Sequence, residues 1–148
     1  MSAALIALIG GSALLQLVGG RFFPSAWLVP DLTLVAMTVA ILREPDRAIA
    51  AMGMAGGCVL VCAFPHAGLT TLSYLGLGGL IAWGARQWDL LDVARQRGVV
   101  AASEGLLVIL WMIADHLMSV SIIGWAIVRV AVTVACLPVA RRFIAMTP

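Results

Sequence analysis

Six apolar runs of 16 to 20 residues, divided by short breaks carrying Arg, Asp, Pro or Gly, make up most of the chain. They are Ala3–Val18, Trp27–Leu42, Ala48–Phe64, Gly68–Ala85, Val99–Ala114 and Ser121–Ala140. A helix rises about 1.5 Å per residue, so each run covers roughly 24–30 Å, close to the hydrocarbon thickness of a bilayer. Only 11% of the 148 residues are charged and 63% are hydrophobic. A soluble domain carries about 25% charged residues and has too much surface to cover with fewer. The pattern predicts an all-α integral membrane protein: a compact bundle of six short transmembrane helices, with residues 1–148 forming one domain.

Six crossings place both termini on one side. Arg43, Arg47, Arg86, Arg95, Arg97, Arg141 and Arg142 then share one face, Arg21 alone marks the other, and Arg129 lies inside a run. Basic residues collect on the cytoplasmic side, which sets the orientation as N-in/C-in. Phe22, Phe23, Trp27 and Phe64 fall at the outer interface, and Trp83, Trp88 and Phe143 at the inner one. The first run lacks a basic n-region and an A-x-A-like cleavage site, so it reads as a retained span. The longest break, "RQWDLLDVARQR" (Arg86 to Arg97), reads as a short interfacial helix with snorkelling arginines, or as a docking surface for a cytoplasmic partner.

The second run raises a length problem. In "VPDLTLVAMTVAILREPDR" only 11 residues, Leu32 to Leu42, separate Asp31 from Arg43, or roughly 16 Å of helix. A span therefore has to reach back to Trp27, with Pro30 in the first turn and Asp31 capping the helix near the outer boundary.

Arg129, in "GWAIVRVAVTV", is the deepest charge. An arginine at a helix centre costs about 2.5–3.5 kcal/mol on insertion scales, so it should face protein or water. A very short turn near Met118 makes the last two runs antiparallel neighbours, and places Arg129 at the level of Leu107. Glu104 is three residues away, about 4.5 Å in depth, within reach of the guanidinium. An Arg129–Glu104 pair is favoured; Asp31, another outer-edge group and a partner subunit stay open as alternatives. Asp115 and His116 resemble a proton-relay dyad, but neighbours on a helix point about 100° apart, and this pair reads as an outer, solvated helix end. His66 is a lone loop histidine.

The sequence holds no G-x-S-x-G, H-E-x-x-H or Walker pattern, so no enzymatic activity and no cofactor are expected. Cys58, Cys62 and Cys136 lie in apolar runs and read as packing residues; no metal site is expected. A net charge of +2 without a basic cluster points away from nucleic acid. Gly53 with Gly57, Gly76 with Gly79, and the Ala3–Ala7–Gly11 stripe read as small-residue faces for close helix packing.

The order of these features resembles MreD, the small membrane protein of the bacterial rod-shape (elongasome) system. "VPDLTLV" leads into the second apolar helix and "LREPDRA" out of it; Gly53 and Gly57 follow, then "AGLTTLSYLGLGGLIA", and "CLPVARRF" closes. The likeness covers roughly residues 27–143. It departs at Val61, where the family often carries an acid four residues after its second helix-three glycine. The resemblance implies a non-enzymatic scaffold of the bacterial cytoplasmic (inner) membrane. Such a scaffold binds an MreC-like bitopic partner and, through it, links MreB filaments, RodA and a class B penicillin-binding protein to lateral-wall peptidoglycan synthesis. The implied fold is similar to that of energy-coupling-factor transporter S-components. A substrate-binding membrane subunit of such a vitamin or solute transporter is therefore the alternative, with Asp31, His66, Asp115 and His116 as its polar groups.

Overall fold

The computed structural model describes residues 3–22, 29–43, 67–87, 92–114 and 120–145. These residues form five helices and, among them, no strand: α1 (Ala3–Phe22), α2 (Leu32–Arg43), α3 (Ala67–Gln87), α4 (Val93–Ala114) and α5 (Val120–Ala145). Two segments, Val93–Ala114 and Ile122–Arg142, are long and apolar enough to cross a membrane. The expected third run, Ala48–Phe64, lies outside the described residues, as do Arg47, Gly53, Gly57, His66, Asp115 and His116.

The shortest helix is the hub. α2 packs against each of the other four, and Leu34 to Ile41 are all buried. A helix that is apolar all round has to be buried all round, and "LTLVAMTVAIL" carries only two threonines among its apolar residues. Thr38 Oγ1 satisfies itself by donating to Leu34 O at 2.9 Å. The length problem resolves here. The helix starts at Leu32, with Pro30 ahead of its first turn, and its 12 residues cover about 18 Å. Helices on every side supply its surroundings, so lipid thickness does not fix its length.

Neighbour directions follow from the contacts. Met112 and Val108 cluster with Ile122 and Ala126, and Val100 clusters with Val134 and Leu137, so α4 and α5 run antiparallel. Gln16 meets Thr33 while Ile9 joins the cluster of Met37 and Ile41, so α1 opposes α2. Asp31 meets Thr133, and Val35 and Val39 join Leu137, so α2 and α5 advance together. The end of the bundle where α2 and α5 finish and α4 begins therefore gathers Arg43, Arg95, Arg97, Arg141 and Arg142. Arg21 closes α1 at the opposite end.

Two helices differ from the expected boundaries. α4 starts at Val93 and not at Val99, so the second half of "RQWDLLDVARQR" is the first turns of a long helix, not a separate interfacial one. Asp92 starts it: its Oδ1 accepts from Ala94 N at 3.2 Å and its carbonyl from Gln96 N at 3.0 Å. α5 runs on to Ala145 with Pro138 inside it.

Polarity is arranged inside out. Leu72, Ile127 and Phe22 are 69%, 66% and 82% exposed, while Asp31 and Glu104 are 0% and Arg129 is 5% exposed. Exposed apolar surface and a buried charged interior locate the chemistry at the centre of the bundle.

Candidate functional site

The site begins where α2 begins. Asp31 is the residue before the helix; its carbonyl accepts the first helical bond from Val35 N at 3.1 Å. Its Oδ1 accepts from Leu34 N at 2.8 Å, the geometry of an N-cap to the third helical residue. The positive end of the helix dipole favours the carboxylate there. Its backbone N donates to Thr133 Oγ1 of α5 at 3.0 Å. A second free N–H of that first turn, Thr33 N, donates to Gln16 Oε1 of α1 at 3.1 Å, and Thr33 Oγ1 donates to the same oxygen at 2.7 Å. The buried start of a helix thus has its orphan donors satisfied.

Three more helices supply the rest. The Tyr74 hydroxyl of α3 donates to Asp31 Oδ2. From α5, Arg129 Nε donates to Glu104 Oε1 of α4 at 2.6 Å, and its Nη2 lies 3.7 Å from Asp31 Oδ2. The guanidinium carbon also stands 4.9 Å from the centre of the Trp111 ring, a cation–π contact. One cation therefore faces two carboxylates and an aromatic ring, buried among the described helices. Glu104 Oε2 is buried and has no hydrogen-bond partner.

Chemically this is an electrostatic tie across four helices. Arg129 cannot shed its proton, and its planar fork holds two acceptors in fixed directions. Where little water competes, such contacts are stronger than at a surface, and the cost of disrupting them is larger. Among the described residues no three His, Cys, Asp or Glu side chains converge as a set able to hold a metal ion.

The sequence offers Glu104 and Asp31 as alternative partners for Arg129; the folded chain brings both to it. Asp31 is a capping carboxylate and an ion-pair partner at once. The other expected residues stay apart from this cluster. Ala7 is exposed, and a side chain added at Gly11, Gly76 or Gly79 would meet nothing within 4 Å. Ala3, at the start of α1, has no described side-chain environment. Within the described chain, then, Gly11, Gly76 and Gly79 make no close helix approach. Arg86, Arg95 and Arg97 are exposed at the basic end.

Tyr74, Thr133, Gln16 and Trp111 belong to the site without having been expected there. Two carried a signal. Thr133 is four residues after Arg129 and Trp111 seven after Glu104, so each lies on the same helix face as a buried charge. Tyr74 is the one tyrosine of the chain, but nothing in the sequence says that α3 adjoins the start of α2.

In comparisons with known proteins, no family model, no curated protein and no solved structure matches the chain.

Proposed function

We propose that this protein is a non-enzymatic membrane scaffold of the MreD type, crossing the bacterial cytoplasmic membrane six times with both termini inside. It holds a bitopic, MreC-like partner by that partner's transmembrane helix. The observation that carries the reading is a groove of about 760 Å³ between α4 and α5, the two helices long and apolar enough to cross a membrane. Ala101, Gly105 and Ala126 lie in it between larger side chains such as Ile109, Ile127 and Val134. A side chain added at Gly105 would meet nothing within 4 Å. In lipid there is no hydrophobic drive between helices, so association relies on close backbone approach over small residues, which this surface offers.

Two further features support the membrane setting. The exposed leucines and isoleucines suit acyl chains, and charges withdrawn to the interior avoid them. The arginine-rich end, opposite Arg21, suits a cytoplasmic leaflet with anionic lipids.

The experiment is capture from native membranes in mild detergent. The wild-type chain should retain an MreC-like bitopic protein, and a Gly105→Leu variant, at a position where an added Cβ meets nothing within 4 Å, should lose it while keeping its thermal midpoint. Recovery of an ATPase and a coupling subunit would instead favour the solute-capture alternative.

A further inference from the structure

We propose that Glu104 is held as the neutral carboxylic acid, with its proton on Oε2 directed at the Asp31 carboxylate, so that the bundle carries one bound proton at its centre. The inference does not depend on what the protein binds.

Charge balance comes first. Of the five helices, α1 brings the neutral Gln16 to this region, α2 brings Asp31, α3 Tyr74, α4 Glu104 and α5 Arg129. With both acids ionised, one guanidinium faces two carboxylates, and an excess negative charge sits where water is scarce. Such a charge is neutralised in practice, since an isolated buried ion is far costlier than a neutral acid. Like charges held this close share a proton.

Hydrogen bonding then says which acid holds it. Both oxygens of Asp31 face donors: Oδ1 takes Leu34 N–H, and Oδ2 takes the Tyr74 hydroxyl and faces Arg129. A proton on either would meet a group that already points hydrogen at it. Glu104 is different. Its Oε1 takes Arg129 Nε–H, whereas its Oε2 is fully buried without a partner. The Asp31 carboxylate faces the same guanidinium. A proton on Oε2 makes a donor of an atom at which no donor is aimed, and leaves Arg129 balanced by Asp31. Glu104 then accepts through one oxygen and donates through the other, as a glutamine amide does.

The test is infrared spectroscopy of the purified full-length protein in lipid vesicles, following the carbonyl stretch of protonated carboxyl groups. The wild type should show this band. Glu104→Gln should abolish it and keep the wild-type thermal midpoint, while Glu104→Ala lowers that midpoint. Asp31→Asn should also abolish the band, because one carboxylate then matches one guanidinium and Glu104 gives up its proton. A wild type without the band, or a band that persists in Glu104→Gln, overturns the proposal. So does a midpoint in Glu104→Gln as low as that of Glu104→Ala. If neither variant can be purified, a wild type without the band still overturns the proposal, since the acids other than Glu104 and Asp31 lie in the breaks between runs.

Discussion

Arg129 Nε and Glu104 Oε1, 25 residues apart in the chain, stand 2.6 Å from each other, and Nη2 of the same guanidinium lies 3.7 Å from Asp31 Oδ2. A single cation thereby joins α4, α5 and the start of the central α2, and Tyr74 adds α3 through Asp31. The hub helix is fixed at its N-cap by charge and along its length by packing.

Removing the cation should be the most damaging single change. Arg129→Met keeps most of the side chain's bulk but leaves Asp31 buried without its counter-ion, a loss of about 3–5 kcal/mol. Adding Asp31→Asn should return part of it, with a coupling of about 0.5–3 kcal/mol. SDS titration in mixed micelles measures both, and strictly additive losses would show that the two groups do not interact.

The Gln16–Thr33 contact gives an ordered pair. Gln16→Leu strips the acceptor from two donors at the start of α2 and should cost about 1–3 kcal/mol. Thr33→Val removes one of those donors and keeps the backbone bond, so about 0.5–1.5 kcal/mol is expected. The same titration reads the order; a costlier Thr33→Val would mean that Gln16 does not hold the helix start.

Trp111 should act through its ring. Trp111→Leu is expected to lose up to about 2 kcal/mol of cation–π stabilisation in addition to packing, and Trp111→Phe to lose less. In an Arg129→Met background the gap between the two substitutions should shrink. A gap of unchanged size in thermal or SDS unfolding would reduce the contact to packing alone.

Orientation is open to a direct assay. Reporter tags at Met1 and Pro148 should both be reached only from the cytoplasmic side, and a reporter inserted next to Arg21 only from the other. Termini that answer from opposite compartments would rule out an even number of crossings.

Part of the site was legible before any fold. Two apolar runs joined by a short turn have to lie antiparallel, and a fixed rise per residue then puts Glu104 within about one turn of the depth of Arg129, as the favoured of several partners. Asp31 could be read as a cap because Pro-Asp before an apolar run is a helix start. Tyr74 and Thr133 could not be paired with it: they lie 43 and 102 residues away, on helices whose place around α2 no local pattern encodes. The expectation that α2 reaches back to Trp27 failed for a related reason, since it assumed lipid around a helix that is surrounded by protein.

The amino-acid order determined the axial coordinate of each group. How deep a charge sits and which end gathers the arginines follow from residue spacing along one chain, because helical rise is nearly constant. Lateral arrangement came only with tertiary packing. Which helix became the hub, that one guanidinium serves two carboxylates, and that Glu104 Oε2 faces a buried space without a donor depend on side chains from separate helices meeting. Contacts between elements far apart in sequence leave no period in that sequence.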